Sequence, residues 1–330
     1  MIRYLSVCSG IEAFSKAVDG LPYSAVGFSE IEPFPCAVLS ARYPFVPNMG
    51  DMTKINGWAL RGQVDLLVGG TPCQGFSHAG LRGGLRDPRS GLAVHFVRLA
   101  AELRVPWLLW ENVPGALSTS GGGDYRAFIS ALDELGYGLA WAVLDAQWFG
   151  VPQRRKRLFL VGRLGDWRGP CQVLFEPDRV CGNPPPRRSK RQGDAPRAEG
   201  SSGTRSQQDV CPTMTSSGAG FARVDGRAEH DCGTLVVQPN DVASTLCASG
   251  AGTDRPSAQC SQEGFCVVDG PLPRRLTPVE CERLQGFPDG WTDVRFQGKP
   301  ARDTLRYRAL GNSMAVPVMR WLAEGIREFF

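Results

Sequence analysis

Short apolar blocks alternate along the first half of the chain with longer stretches whose apolar residues recur every three or four positions. Residues 2–7 (Ile-Arg-Tyr-Leu-Ser-Val), 25–29, 64–68, 107–110, 139–144 and 157–162 read as strands. The run Val64-Asp65-Leu66-Leu67-Val68 is apolar enough for a buried parallel strand. One more strand is expected just before Asp51, ending at Met49-Gly50. Between these blocks, Leu92, Phe96, Leu99, Ala100 and Leu103 share one helical face and predict an amphipathic helix over 91–104; a second is predicted over 125–135. Strands alternating with helices predict an α/β fold with a doubly wound, mostly parallel sheet.

The C-terminal part has its own punctuation. Thr277 is placed to cap a helix, Pro278 to take its first position and Glu280 to complete a capping box. Val318, Trp321, Leu322, Gly325 and Ile326 mark one side of a terminal helix that should dock on the first lobe. The middle differs. Residues 184–208 are poor in apolar side chains and rich in Pro, Gly, Ser and Arg, as in a basic linker or arm. A faint repeat follows, with 210–220 resembling 242–252, and suggests a small, loop-rich lobe. The expected organisation is a first domain of 1–178 plus 304–330, a variable region of 179–272 and a returning hinge segment of 273–303.

Bulk properties narrow the picture. With 42% hydrophobic and 21% charged residues over 330 positions, the chain is globular. No apolar run is long enough to cross a membrane and the first residues do not resemble a signal peptide, so a cytoplasmic protein without a membrane partner is expected. The 11 cysteines form no Cys-x-x-Cys pair, which speaks against a structural zinc and, with the odd count, for reduced thiols. A net charge of +4 permits a nucleic-acid partner without demanding one.

The candidate chemistry lies at the ends of the predicted strands. Gly69-Gly70-Thr71-Pro72 stops one strand and presents Cys73, followed by Gln74-Gly75-Phe76-Ser77. A buried apolar cysteine does not need so stiff an approach, whereas a nucleophilic thiolate does need a posed backbone. Residues 77–90, with Arg82 and Arg86 among several glycines, read as a lid or as a plain surface loop. Glu111-Asn112-Val113 ends another strand, and Gln153-Arg154-Arg155-Lys156-Arg157 begins the last. Cys8-Ser9-Gly10 turns from strand to helix, as a cofactor cradle or an ordinary turn would. Glu30 and Asp51 are ribose-type carboxylates or solvated loop acids.

Taken together and in this order, these blocks resemble the cytosine-5 DNA methyltransferases, bacterial and phage ones in particular. The matching residues are Cys8-Ser9-Gly10, Glu30, Gly50-Asp51, Gly70 through Ser77, Glu111-Asn112-Val113, Gln153-x-Arg155-x-Arg157, Arg274-x-Leu276-Thr277-Pro278 with Arg283 through Pro288, and Gly311-Asn312-Ser313. The resemblance implies a Rossmann-like S-adenosylmethionine-dependent methyltransferase fold with a smaller, loop-rich target-recognition lobe at 179–272. It implies catalysis by Cys73, Glu111, Arg155 and Arg157, with Cys73 adding to carbon 6 of a flipped-out cytosine and Glu111 protonating ring nitrogen 3. Cofactor contacts are expected from Cys8, Gly10, Ile11, Phe14, Glu30, Ile31, Asp51, Met52, Pro72, Asn312 and Ser313. Contacts to double-stranded DNA are expected from Gln74, Ser77, Arg82, Arg86, Asn112, Val113 and Gln153, with Arg223, Arg227 and Arg255 in the variable region. A monomer without metal is expected, in a bacterial or phage-infected cell, and a cognate restriction endonuclease is a partner that the resemblance allows.

The chain also departs from the family pattern. The first block commonly reads Asp-Leu-Phe-x-Gly-x-Gly-Gly; here Ser6 stands for the Asp, and Glu12 and Ala13 for glycines. Glu12 is therefore expected to replace, in part, the missing acid near the methionine ammonium. Ala309 stands where the last block usually has Gln. Three other readings compete: the same chemistry on transfer RNA, a non-catalytic DNA-binding relative, and a nucleotide-dependent oxidoreductase, which the missing Gly-x-Gly-x-x-Gly turn disfavours.

Overall fold

A computed structural model of the chain describes residues 1–71, 91–175, 266–268 and 273–330, with 266–268 and 273–275 described as backbone only. The expectations that fall on 72–90, 176–265 and 269–272 lie outside these residues. They include Pro72, Cys73, Gln74, Ser77, Arg82, Arg86, Arg223, Arg227, Arg255, the basic 184–208 stretch and the 210–252 repeat.

Among the described residues six strands form one sheet: β1 (Ile2–Val7), β2 (Tyr23–Ser29), β3 (Leu66–Gly69), β4 (Trp107–Asn112), β5 (Tyr137–Asp145) and β6 (Lys156–Leu164). Their order is β2-β1-β3-β4-β6-β5. The pairs β1–β2, β1–β3 and β3–β4 are parallel, while β6 runs antiparallel to both β4 and β5. This reversal matters for the site. It brings the beginning of β6 to the same sheet edge as the ends of β1, β3 and β4.

The buried alternation of the strands feeds two cores. On one face, Leu67, Leu108 and Leu160 meet helix α4 (Leu92–Leu103) and helix α5 (Gly123–Glu134). On the other, Leu66, Leu109 and Val161 meet α1 (Ala13–Ala17), α2 (Pro33–Arg42), α6 (Arg168–Phe175) and the C-terminal helices α8 (Asp303–Asn312) and α9 (Val316–Arg327). Helix α3 (Gly57–Leu60) lies between β2 and β3 in the chain.

Most predicted elements reappear within a residue or two, and helix 91–104 is observed as α4. The strand expected before Asp51 is absent. Asn48 makes a single parallel bridge to Phe28, Gly50 takes φ +70°, and Asp51 caps a 3-10 turn, Met52–Lys54. A left-handed glycine followed by a cap is a turn signal that outweighs the apolar Val46 and Met49. In helix α7 (Pro278–Leu284), Thr277 and Glu280 complete the capping box read from the sequence. The segment behind α7 is tied to the sheet. Arg42 donates to the carbonyls of Gly290 and Trp291, and the Trp291 indole donates to Ile11 O at 3.0 Å. The Tyr23 hydroxyl donates to Ala323 O across 300 residues, docking α9. Among the described residues no helix is long and apolar enough to cross a membrane.

Candidate active site

At the end of β1 the chain makes an unusual turn. Cys8, Gly10 and Glu12 all adopt left-handed backbone conformations, at φ +51°, +57° and +61°. Glycine does so freely; for Cys8 and Glu12 the conformation costs on the order of 1 kcal/mol each. Stitching to β2 holds the turn. Ser9 N donates to Ser29 O and Ser29 N donates to Ser9 Oγ, both at 3.1 Å, while Gly10 N donates to Glu30 Oε2 at 2.7 Å. Glu30 also accepts the amides of Ile31 and Glu32 on its other oxygen, both at 2.8 Å. Asp51 accepts from Thr53 N at 2.9 Å, and that amide holds its carboxyl below the usual range.

Glu12 is 1% exposed, and its carboxylate accepts from Ser6 Oγ at 2.7 Å and Ser15 Oγ at 2.8 Å. Burial pushes it up to about 7, against the lowering effect of the two serines. The neighbouring Cys8 thiol is pushed up to about 12 by the same cause, and burial also raises Cys36 and Cys281. None of these three is a thiolate near neutral pH.

At the other end of the site, β4 carries Glu111, 8% exposed, with Arg157 Nε of β6 3.2 Å from its Oε1. Burial raises the Glu111 carboxyl, opposed first by Arg157 and then by Arg155. Arg155 itself is buried and donates from Nη2 to the carbonyls of Gly311 (2.9 Å) and Ser313. These bonds brace the C-terminal loop against the sheet edge. Gln153 is fully buried beside it.

The residue leading into Pro72-Cys73 is clamped. Trp110 Nε1 donates to Thr71 Oγ1 and Asn112 Nδ2 donates to Thr71 O, each at 2.9 Å. Asn112 is 4% exposed, and its side chain also accepts from Val113 N at 2.8 Å. Gly70 is closely packed here: a Cβ would come within 2.7 Å of Met314 Cε and 3.2 Å of Glu111 Oε2, so the ends of those side chains would have to shift.

One cleft joins these groups. It is lined by Ser6, Cys8, Ser9, Gly10, Glu12, Ala13, Phe14, Val68, Gly70, Glu111, Asn312, Ser313 and Met314. The expected cofactor residues Cys8, Gly10, Phe14, Asn312 and Ser313 thus face the same space as Glu111. Ile11 does not: its side chain is in the core and its carbonyl is held by Trp291. Ile31 is 68% exposed and Met52 buried, with Met52 Sδ 3.4 Å from Cys8 Sγ. Val113 is partly exposed past the strand end. Ser6, Val68, Thr71 and Met314 went unread as site residues. For Thr71, its place between Gly70 and Pro72 was the available signal. Among the described residues no cluster of three or more His, Cys, Asp or Glu is placed to hold a metal.

Comparison with known proteins gives the geometry a family context. A family model described as C-5 cytosine-specific DNA methylase matches residues 2–328. The type II methyltransferase M2.BsuMI of Bacillus subtilis is 30% identical, over 99% of this chain and 76% of that protein. M.MspI of Moraxella sp is 29% identical, over 98% and 70%. A DNA N-6-adenine-methyltransferase of Escherichia phage P1 is 33% identical over 98% of this chain, which spans 61% of that longer protein. Among solved structures, S. pombe Dnmt2 methyltransferase superposes with a TM-score of 0.59 at 17% identity, over 99% of both chains. An E. coli prophage DNA modification methyltransferase does so with a TM-score of 0.61 at 19% identity, also over 99% of both. At such identities the structures speak for the fold alone.

Proposed function

Since the chain belongs to the C-5 cytosine-specific DNA methylase family, whose members are S-adenosylmethionine-dependent enzymes, we propose that it methylates carbon 5 of a flipped-out cytosine in a short sequence of double-stranded DNA, through a covalent Cys73 adduct. The observation that carries this reading is the single cleft in which the β1 turn, the Asn312-Ser313 loop and the buried acid Glu111 face one another. Its donor set fits S-adenosylmethionine: Glu30 and Asp51 suit a ribose diol and an adenine amine, and Phe14 and Val68 supply apolar wall. When bound, the cofactor would supply an electrophilic methyl group, its sulfonium sulfur keeping the electron pair of the broken methyl–sulfur bond and leaving as a neutral thioether.

Cys73 stands three residues after Gly70 in the sequence, and a Cβ on Gly70 would come within 3.2 Å of Glu111 Oε2. In the proposed reaction the Cys73 thiolate forms a bond to carbon 6 while Glu111 gives a proton to ring nitrogen 3. The ring's electron pair shifts to carbon 5, which takes the methyl group. Removal of the carbon-5 proton by a base re-forms the double bond, Glu111 recovers its proton, and Cys73 leaves as thiolate. A Glu111 carboxyl held above its ordinary range by burial is suited to giving that proton. Arg157 beside it suits the base's oxygen 2, and Arg155 keeps the Gly311–Ser313 carbonyls in place. A duplex base reaches such a cleft only by leaving the stack.

The test is to incubate the protein with labelled S-adenosylmethionine and duplex DNA and to identify the labelled base, in parallel with Cys73→Ala. The reading expects 5-methylcytosine at one sequence and none with the variant. Label in transfer RNA alone would replace the substrate, label as N6-methyladenine would replace the reaction, and equal label with Cys73→Ala would overturn the covalent step.

A further inference from the structure

We propose that Glu12, acting through the Ser6 hydroxyl, is the counter-ion for the α-ammonium group of the methionine end of S-adenosylmethionine, so that cofactor affinity is switched by protonation of this one carboxylate. The inference rests on the cofactor reading above and deepens it.

Three observations converge. First, Glu12 is buried with only neutral partners, Ser6 and Ser15, and among the described residues no lysine or arginine pairs with it. A buried carboxylate without a cation is costly, which points to a cation supplied from outside. Second, Glu12 and Ser6 both line the cleft that holds Gly10, Phe14 and Ser313. Ser6 Oγ donates its one proton to Glu12 and keeps its lone pairs for a donor on the cleft side. Third, position 12 is left-handed, a conformation that costs a residue with a side chain on the order of 1 kcal/mol, yet this chain places a glutamate there, with its carboxylate behind the Ser6 hydroxyl.

The groups facing Glu12 are hydroxyls from each surrounding element: Ser6 and Tyr4 of β1, Ser15 of α1, and Tyr43 after α2. Both phenols are pushed up by burial and by Glu12 itself, and Asp19 adds to both. None of them gains or loses charge between pH 5 and 8. With Glu12 at about 7 in the free protein, binding a cation favours its ionised form, so affinity rises with pH.

The experiment is calorimetric titration of the full chain with S-adenosylmethionine at pH 5.5 and 7.0, where the ligand's amine stays charged. Methylthioadenosine, which lacks the amino-acid end, serves as the second ligand. Wild type should bind S-adenosylmethionine roughly tenfold tighter at pH 7.0, while methylthioadenosine shows no such change. Glu12→Gln should bind at the weaker level at both pH values, with methylthioadenosine affinity unaltered, which also reports that the variant is folded. A flat wild-type profile, or the same rise in Glu12→Gln, would overturn the proposal and leave the enzyme reading standing. Failure of the wild type to bind S-adenosylmethionine at all would overturn both.

Discussion

Glu12 and Glu111 are buried acids lining one cleft, and their surroundings are opposite. Glu111 has guanidinium groups beside it, Arg157 at 3.2 Å and Arg155 nearby, and both work against the burial that raises its carboxyl. Glu12 has two serine hydroxyls and no cation among the described residues, and its carboxyl is pushed up to about 7. The same physical cause, desolvation of a charge, is thus answered in two ways. One acid lies beside fixed positive charge, which suits the proton donor proposed for it; the other has only hydroxyl partners, which suits the proposed seat for a cationic ligand. On these proposals, two carboxyls of one sequence take different tasks from their neighbours, not from their own chemistry.

Three substitutions probe that contrast. The largest effect is expected from Glu111→Gln, which cannot deliver the proton to nitrogen 3: methylation should fall by roughly 10²–10⁴-fold with cofactor binding retained. A variant that bound cofactor and methylated within a few-fold of wild type would remove Glu111 from the chemistry. The second effect is on stability. Against an ordinary carboxyl near 4.5, Glu12 at about 7 favours the folded state fully below pH 4.5, and that contribution is lost as pH rises through 7. Glu12→Gln should therefore be more stable than wild type without ligand at pH 8, by about 3 kcal/mol, and gain nothing at pH 4; urea titrations at the two pH values read the difference. The smallest effect is expected from Ser15→Ala, which leaves Glu12 Oε2 without its donor. It should cost about 1 kcal/mol at pH 8 and move the pH profile of cofactor binding upward, because the ionised form loses a hydrogen bond.

Much of this was legible in the chain because it is local. The spacing of Leu92, Phe96, Leu99 and Leu103 gave helix α4, and Thr277-Pro278-x-Glu280 gave a helix start that the structure reproduces. The stop at Gly69-Gly70 was also readable: β3 ends at Gly69, and Gly70 lies close to the Met314 and Glu111 side chains. The misread strand before Asp51 shows the limit of apolar pattern alone, since a left-handed Gly50 and a capping Asp51 make that stretch a turn. What sequence could not give is long-range geometry. The bond from Arg155 to Gly311 spans 156 residues, and nothing in the sequence near Arg155 indicates that its guanidinium reaches that carbonyl. Ser6 looked like a lost acid. Only the fold shows its hydroxyl resting on Glu12, six residues on, because the left-handed turn folds the chain back.

The central claim is that Cys73 and Glu111 act on one cytosine ring. The most direct measurement is the intact mass of the protein after incubation with S-adenosylmethionine and a duplex carrying 5-fluorocytosine at the target position, where the carbon-5 substituent cannot leave as a proton and the adduct persists. The account predicts a stable protein–DNA species whose attachment maps to Cys73 and which disappears in Cys73→Ala. Full conversion to methylated product with no covalent species, or attachment at another residue, would contradict it.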